Sequence, residues 1–181
     1  MVSTDDNEIA EIAKKYGAEV PFLRSPETSD DFASTLDVVI EVINQYKTRN
    51  QNFDHICCIY PTAPLLKTEH LKKGYDKMIK GGYDSVFPVV AFSYPIWRGL
   101  RIKDDKTTML WDKYLNSRSQ DLEPVYHDAG QWYWLKTTKI KNSLWTDNTS
   151  SIILSETEVQ DIDNETDWKL AEIKYKFLQN K

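Results

Sequence analysis

Glycine is scarce in this chain, and its distribution excludes the simplest phosphate-binding motifs. The 181 residues include six glycines, which are Gly17, Gly74, Gly81, Gly82, Gly99 and Gly130. None of them forms the closely spaced pattern in which backbone N–H groups at a helix start cradle a phosphate. Any site for a phosphorylated ligand must therefore be assembled from other residues.

Basic residues are too few for a general nucleic-acid binder. The chain has 23 lysines and arginines against 28 aspartates and glutamates, a formal net charge of -5. Proteins that bind nucleic acid need a basic face to contact phosphates, so no nucleic-acid partner is expected. A small anionic substrate is still compatible with this charge, because a few local cations or a metal ion can hold it.

Long hydrophobic runs are absent as well. No apolar stretch approaches the roughly 20 residues that a membrane-spanning helix needs. The N-terminal sequence MVSTDDNEIA lacks the basic and apolar regions of a secretory signal. We therefore expect no membrane partner and a cytoplasmic location.

Cysteine is limited to the adjacent pair Cys57 and Cys58. Neighbouring residues in a strand point to opposite faces, so the two thiols are poorly placed to bind one metal ion or to pair with each other. We interpret both as small core residues in a reducing compartment.

Hydrophobic periodicity predicts alternating helices and strands along most of the chain. Helical patterns follow Asp5 or Asp6, extend from Ala33 to about Tyr46, and begin again at Thr68 and Asn164. Apolar runs typical of strands are EVPFL, HICCIY, DSVFPVV, GQWYWLK and SSIIL. This alternation favours an α/β fold in which a mostly parallel sheet is covered on both faces.

The predicted first helix and the middle of the chain lead to two further expectations. In the helix, Ile9, Ile12, Ala13 and Tyr16 share one face, and Gly17 suits the left-handed residue that ends a helix. The length of the chain suits a single domain over residues 1–181. Within it, the segment from about 91 to 127 is rich in Trp, Tyr, Arg and Asp and interrupts the regular alternation, as an insertion would.

Two aspartates just before the last helix are the first candidates for chemistry. Asp161 and Asp163 are two residues apart, so in an extended segment both carboxylates project to the same side and can reach one hard cation. The start of the following helix adds a positive dipole end nearby. By spacing alone, however, these residues are more typical of acids that solvate a turn and favour a helix start.

Arg24 lies in a second candidate segment, FLRSPETSDDFAST. It follows an apolar run and precedes a proline-containing turn, where a guanidinium could contact a base or a phosphate. The alternative is a loop arginine that pairs with Glu27 or Asp31.

Two further loops carry polar residues next to predicted strands. YPTAPLLK leaves the strand HICCI through two prolines, and a rigid loop at the carboxyl end of a strand suits either a ligand or only a tight turn. NSRSQDLEPVYHDAG concentrates Arg118, Gln120, Tyr126, His127 and Asp128 before a strand. No serine or cysteine nucleophile occurs in a recognisable context, so covalent catalysis has no support.

Together these motifs resemble the acylneuraminate cytidylyltransferase family, which activates nine-carbon nonulosonic acids with CTP. The matching segments, in order, are VSTDDNEIAEIAKKYGAEVPFLR, the Arg-Pro-acid loop, YPTAPL and VQDIDNETDWKLAEIKY. LNSRSQDLEPVYHDAG and SETEVQDID are similar to the pseudaminic acid branch of that family. The resemblance covers nearly the whole chain.

The resemblance implies a Rossmann-like nucleotidyltransferase fold with a mixed, mostly parallel sheet, in which residues 91–127 are an insertion that helps to form a homodimer. The implied reaction transfers CMP from CTP to pseudaminic acid or a related nonulosonic acid and releases pyrophosphate. Such a CMP-sugar would serve the glycosylation of cell-surface glycans or flagellin. Mg²⁺ is the implied cofactor, since it neutralises charge on the phosphates.

The resemblance also assigns roles to particular residues. Asp161 and Asp163 would bind Mg²⁺ and thereby serve catalysis. The side chains implied to lie by the cytidine are those of Arg24, Ala33 and Thr35. Those implied to lie towards the sugar are Tyr60, Thr62, Arg118, Gln120 and His127.

The chain departs from the family pattern in two loop residues and at its N-terminus. Tyr60 and Leu66 stand where the family typically has Gln and Arg. Family members also begin with a strand and a basic Ser/Gly-containing loop that cradles the triphosphate, which have no counterpart ahead of Met1. We therefore expect an unpaired sheet edge and little or no transferase activity from the 181 residues alone.

Two other functions fit the same residues. One is a non-catalytic module that binds a sugar or another partner. The other is a nucleotidyltransferase that acts on a different sugar. Dependence of CTP binding on Mg²⁺ and on the two aspartates separates the enzyme from the module, and product analysis separates the two enzymes.

Overall fold

The computed structural model describes residues 1–179 as helices packed on a central sheet. The helices are α1 (Asn7–Lys15), α2 (Thr35–Thr48), α3 (Thr68–Gly81) and α4 (Glu165–Gln179). The strands of the central sheet are β1 (His55–Ile59), β2 (Ser85–Ala91), β5 (Tyr126–Asp128), β6 (Trp132–Lys136) and β7 (Thr149–Leu154). A separate hairpin consists of β3 (Leu100–Lys103) and β4 (Lys106–Met109).

The central sheet is mixed because two of its strands run antiparallel to the other three. β1 pairs antiparallel with β6, β6 pairs antiparallel with β2, and β2 pairs parallel with β7. β1, β2 and β7 therefore share one direction, while β5 and β6 run the opposite way. The sequence predicted a mostly parallel sheet, but only the β2–β7 ladder is parallel, since β6 lies between β1 and β2.

β5 and β6 lie end to end along the same side of β2, and a bulge separates them. Val89 pairs with Asp128, whereas Val86 pairs with Trp134. The two positions are three residues apart along β2 but six residues apart along the opposite segment, so residues 129–131 form a bulge. Gly130 in this bulge has a positive φ of 61°, which suits a residue without a Cβ.

The core contains three clusters of buried residues, one of which comprises Val90, Ala129, Leu154 and Val159. The other two lie on opposite faces of the sheet. On one face, Val39 of α2 packs with Phe87, Val89, Tyr133 and Leu135. On the other face the buried cluster comprises Met78, Val86 and Trp132. Alternate residues of β2 thus face α2 and α3, as expected for a strand buried on both sides.

The start of the chain differs from the prediction. EVPFL forms no strand; backbone hydrogen bonds join this region to residues 2–4 through Val2 and Glu19 and through Arg24 and Thr4. Within residues 1–179, β1 likewise has a paired strand on only one side. A strand needs a continuous ladder with a neighbouring backbone, and these two hydrogen bonds at the ends of EVPFL do not form one.

The predicted helix α1 forms, but its apolar face is largely exposed. Ala10 is the buried residue of this helix, while Ile9 and Ile12 are about half exposed, at 51% and 50%. No strand forms within residues 1–24, so α1 has no sheet in this region to pack on. Its larger apolar side chains therefore stay accessible. Its ends follow the sequence closely, because Asp6 caps the first turn and Gly17 has a φ of +88°.

The two cysteines lie in β1 as free thiols. Burial raises the pKa of Cys57 to about 12 and that of Cys58 to about 11. Both therefore stay protonated at neutral pH, which matches the expected role as small core residues.

The predicted insertion contains the β3–β4 hairpin and short 3-10 turns between β2 and β5. Its aromatic residues pack on each other, with the Trp97 ring 5.7 Å from Trp111 and 5.6 Å from Tyr114. Leu100 and Ile102 on the hairpin are exposed, at 60% and 74%. None of the helices in residues 1–179 is long and apolar enough to cross a lipid bilayer.

Gly74 provides a test of the packing between α3 and the sheet. A Cβ built on this residue would lie 2.3 Å from Cη2 of Trp132, which is too close for any real contact. In an exposed helix, a change from Gly to Ala stabilises by up to about 1 kcal/mol. Here we expect Gly74→Ala to destabilise by about 1–3 kcal/mol instead, as measured by urea unfolding.

The exposed neighbour Lys72 provides the control, since Lys72→Ala should change the free energy of unfolding by less than about 0.5 kcal/mol. A stabilised Gly74→Ala variant would show that Trp132 does not lie against α3.

Candidate active site

Loops after β1 and β7 meet the β5–β6 bulge at one edge of the sheet. β1 and β7 run in the same direction, so the segments that follow them emerge at the same edge. The backbone N–H of Tyr60, which follows β1, donates to the carbonyl of Gln131 in the bulge at 2.9 Å. The side-chain amide of Gln131 donates to the carbonyl of Glu158, after β7, at 2.9 Å. Gln131 therefore connects all three segments.

Asp161 lies directly against the bulge. A Cβ built on Gly130 would be 2.9 Å from Oδ2 of Asp161 and 3.2 Å from its Cγ. The other carboxylate oxygen accepts from the N–H of Ile162 at 3.0 Å. The missing side chain at Gly130 thus leaves the space in which the Asp161 carboxylate sits.

Asp163 is exposed and directly precedes the cap of α4. Asn164 accepts from the N–H groups of Thr166 and Asp167. In return, Oδ2 of Asp167 accepts from the N–H groups of Asp163 and Asn164. Because this reciprocal cap satisfies the helix start, the Asp163 carboxylate is not needed there and stays accessible.

An ion pair ties the segment before Asp161 to the start of α3. Nζ of Lys67 lies 2.5 Å from Oε1 of Glu158, and this hydrogen bond is the main cause of a lowered pKa of Glu158. Lys174 of α4 adds a second tie by donating to the carbonyl of Val159 at 2.7 Å. These contacts fix the backbone that leads to Asp161.

A chain of hydroxyl groups extends from the bulge to α2. The Tyr133 hydroxyl donates to Oδ2 of Asp128 at 2.6 Å, and Oδ1 of Asp128 accepts from the N–H of Gly130 at 2.9 Å. The Tyr60 ring lies 5.3 Å from the Tyr133 ring. The Tyr60 hydroxyl is 2.8 Å from Oγ1 of Thr35, so these two predicted site residues are in direct contact.

The loop that carries Arg24 is anchored to α2 by Glu41. This carboxylate accepts from the N–H of Ser25 at 2.9 Å, from the Ser25 hydroxyl and from the Thr28 hydroxyl. These hydrogen bonds and the Arg24 charge keep the pKa of Glu41 below its usual value, although burial, the largest single influence, acts in the opposite direction.

Arg24 itself reaches back to the N-terminal segment. Its Nη2 lies 3.4 Å from the carbonyl of Ser3 and 3.9 Å from Oδ1 of Asp5. Its Nε is buried and makes no hydrogen bond within residues 1–179. The pairing with Glu27 or Asp31 that the sequence left open does not form in this structure, where Asp5 is the acid nearest the guanidinium.

The remaining predicted site residues differ in how close they lie to this centre. The N–H of Ala33 donates to Oδ1 of Asp30 at 2.8 Å in the turn before α2, and Thr62 lies half-buried in the loop after β1. His127 is exposed next to Asp128, with Nδ1 2.8 Å from the Asp128 carbonyl. Arg118 and Gln120 lie on the surface of the insertion, where Nε of Arg118 pairs with Asp121 at 3.1 Å.

The carboxylates fit a hard divalent cation that also binds a substrate. No group of three or more His, Cys, Asp or Glu side chains that could hold a metal occurs in residues 1–179. Mg²⁺ commonly binds to one or two carboxylates plus substrate phosphates, and Asp161 and Asp163 supply oxygen ligands of that kind. Asp161 and Asp163 are both exposed, so their carboxylates are accessible to such an ion.

Sequence reasoning missed four residues that build this site. Gly130, Gln131 and Tyr133 lie in or next to a bulge whose register the sequence does not reveal. Glu158 shows its role only through its contact with Lys67, 91 positions away. The sequence DAG directly before a strand was the one available signal, because a glycine at a strand start often marks a bulge.

Comparison with protein families gives one match over most of the chain. The family model described as cytidylyltransferase matches residues 1–130. The pseudaminic acid cytidylyltransferase of Campylobacter jejuni is 39% identical over 97% of this chain and 77% of its own length. A Helicobacter pylori protein that combines this cytidylyltransferase with a hydrolase is 33% identical over 90% of this chain and 31% of its own length.

A solved structure has the same fold. The CMP:2-keto-3-deoxy-manno-octonic acid synthetase, determined in complex with CTP, aligns with a TM-score of 0.61 over 99% of this chain and 80% of that one. The two sequences are 12% identical, so the likeness concerns the Rossmann-like nucleotidyltransferase fold alone.

Gly130 allows the contact with Asp161 to be tested by stability. Gly130 and Gly82 both have positive φ, at 61° and 67°, but a Cβ at Gly82 meets nothing within 4 Å. We expect Gly82→Ala to cost about 1–2 kcal/mol through backbone strain alone. Gly130→Ala should cost about 0.5–1.5 kcal/mol more, since it also pushes the exposed Asp161 carboxylate out of its rotamer.

The double variant isolates that clash. In the Asp161→Ala background, Gly130→Ala should cost no more than Gly82→Ala, as measured by urea unfolding. Equal costs for the two glycine changes in the unmodified chain would contradict the contact.

His70 of α3 gives the site region a pH-dependent stability. This side chain is 5% exposed, and its Nδ1 makes no hydrogen bond within the described residues. Burial is the largest influence and lowers the pKa of His70. Glu158 and Glu69 act in the opposite direction, and Lys67 and Lys73 add to the lowering.

We expect the free energy of unfolding to fall as the pH drops through about 6.5, the ordinary histidine pKa. Below that pH the unfolded chain takes up a proton that the folded chain takes up only at lower pH, so folding is disfavoured. Urea unfolding between about pH 7.5 and 5.5 measures this slope. His70→Gln should flatten it, and an unchanged slope would be evidence against a role of His70.

Proposed function

The chain belongs to the cytidylyltransferase family, and on that basis we propose that it transfers CMP from CTP to pseudaminic acid or a related nonulosonic acid. Pyrophosphate is the second product. The observation that carries this proposal is the position of Asp161. Its carboxylate lies against the bulge that also binds the loop after β1, and Asp161 precedes the N-terminus of α4.

The chemistry needs positioning more than covalent participation. The anomeric hydroxyl oxygen of the sugar forms a bond to the α-phosphorus of CTP while the bond from that phosphorus to the bridging oxygen breaks. The hydroxyl proton is lost to solvent, and pyrophosphate leaves with the bonding electrons. Most of the rate of such a transfer comes from alignment and from neutralising phosphate charge.

Asp161 and Asp163 are proposed to hold Mg²⁺ in this site. Bound Mg²⁺ would neutralise charge on the nucleotide phosphates. The protein fixes the Asp161 backbone through Lys67 and Gln131 and leaves the Asp163 carboxylate accessible. This division suits one preorganised ligand and one adaptable ligand.

The nucleotide and the sugar are proposed to occupy opposite sides of this centre. Arg24, Ala33 and Thr35 border the cytidine side, next to the N-terminal end of α2. The residues assigned to the sugar side are Tyr60, Thr62, Arg118, Gln120 and His127. Direct contact between Thr35 and Tyr60 at 2.8 Å supports adjacent pockets.

The insertion is proposed to form a homodimer interface. Exposed Leu100, Ile102 and Leu115 supply apolar surface on this part of the chain, and such surface often marks a contact with another protein. A cytoplasmic location follows from the proposed use of CTP.

Equilibrium binding tests the nucleotide and metal parts of the proposal. We expect MgCl₂ to strengthen CTP binding, as measured by calorimetry. Asp161→Asn or Asp163→Asn should weaken this effect by about tenfold or more, since a ligand to the metal is lost. Asp147→Asn is the matched control, because that exposed aspartate precedes β7 and lies at the opposite edge of the sheet.

Product analysis tests the transfer. The chain is incubated with CTP, MgCl₂ and pseudaminic acid at a protein concentration close to that of the substrates, so that slow turnover still gives measurable CMP-sugar. N-acetylneuraminic acid in a parallel reaction identifies the preferred sugar. Sugar binding that ignores both CTP and MgCl₂ would contradict the enzyme and favour a binding module.

A further inference from the structure

Tyr133 combines a buried ring with a hydroxyl that is committed to one carboxylate. The residue is 5% exposed, and its ring packs on Phe87 at 5.7 Å and on Tyr60 at 5.3 Å. The hydroxyl donates to Oδ2 of Asp128 at 2.6 Å, the short distance of a hydrogen bond to a charged acceptor. A ring without the hydroxyl would fill the same space in the core, so core packing does not explain the hydroxyl.

Asp128 uses its second oxygen to shape the bulge. Oδ1 accepts from the N–H of Gly130 at 2.9 Å, and Gly130 has a φ of +61°. The same glycine lies against Oδ2 of Asp161, where its Cβ would be 2.9 Å away. The hydroxyl of Tyr133 is therefore connected to the Asp161 carboxylate through Asp128 and one backbone turn.

The Tyr133 hydroxyl can act only as a donor to Asp128 at physiological pH. Burial, followed by the hydrogen bond to Asp128 and its charge, raises the pKa of Tyr133 far above the ordinary value. Tyr60 adds to the same effect. The hydroxyl thus stays protonated, and its hydrogen bond to Asp128 persists.

We propose that Tyr133 is a positioning residue that acts through Asp128 and the Gly130 turn to hold Asp161 in place for a divalent cation. This inference rests on the proposed function, because it takes Asp161 as a metal ligand. Groups behind a metal ligand fix its orientation, and their loss commonly weakens metal binding. Tyr133 does not itself touch the substrate or the metal in this assignment.

A purely structural role predicts a different result. If Tyr133 only fills the core, Tyr133→Phe keeps the ring and lowers stability without changing how CTP binding depends on MgCl₂. If Tyr133 positions Asp161, the same change lowers the apparent affinity for MgCl₂ and leaves CTP binding without metal unchanged. The two roles are therefore separated by the metal dependence.

The experiment titrates MgCl₂ into the 181-residue protein with CTP present and follows binding by calorimetry. We expect Tyr133→Phe to weaken the apparent affinity for MgCl₂ by about threefold to tenfold. Tyr46→Phe is the matched control, because that half-buried tyrosine of α2 makes no hydroxyl hydrogen bond within residues 1–179. Asp161→Asn, measured in parallel, reports on the metal site itself.

The route through Asp128 is tested by combining two changes. Asp128→Asn should weaken MgCl₂ binding to a similar extent, and the double variant with Tyr133→Phe should be no weaker than the worse single variant. Additive losses would overturn the route through Asp128. Should Tyr133→Phe fail to fold, Asp128→Asn is judged by the same criterion.

The outcomes separate this inference from the proposed function. An unchanged MgCl₂ affinity in Tyr133→Phe, together with a loss in Asp161→Asn, overturns the positioning role and leaves the metal site intact. An unchanged affinity in Asp161→Asn overturns the metal site and the inference with it. Losses in both variants, with Tyr46→Phe unchanged, support both.

Discussion

The bulge between β5 and β6 is the constraint on which the rest of the site depends. It arises because the segment from β5 to β6 has three more residues than the part of β2 with which it pairs. Those extra residues place Gly130 against Asp161 and direct Gln131 to both Tyr60 and Glu158. A regular ladder would turn these groups into ordinary sheet residues and separate the loops that meet there.

Packing on the two faces of the sheet holds this bulge in place. Trp132 directly after it is fully buried against α3, where Gly74 leaves room for the ring. Tyr133 packs on the opposite face with Phe87 and donates to Asp128. The same strand therefore serves the core through its rings and the site through its polar groups, which couples stability to the geometry of the carboxylates.

The family relationship and the geometry of the site support different parts of the proposed function. The match to cytidylyltransferases covers residues 1–130, whereas Asp161 and Asp163 lie outside that range. Their proposed role as metal ligands rests on the resemblance of VQDIDNETDWKLAEIKY to the family, on the contact of Asp161 with the bulge and on the exposure of Asp163. The Tyr60 hydroxyl lies 2.8 Å from Oγ1 of Thr35, which links the loop after β1 to the start of α2.

The sequence by itself determined the helices, four of the five strands of the central sheet and the family, because periodicity, caps such as Asp6 and Asn164, and contiguous motifs are local. It also singled out Asp161 and Asp163, which are close in the chain. It missed β5, whose three residues lie in a segment predicted to be a loop. Only the tertiary structure decided the strand directions, the failure of EVPFL to form a strand, and the roles of Gly130, Tyr133 and Glu158. Register and contacts such as Lys67 with Glu158 depend on packing between distant segments, which local patterns do not encode.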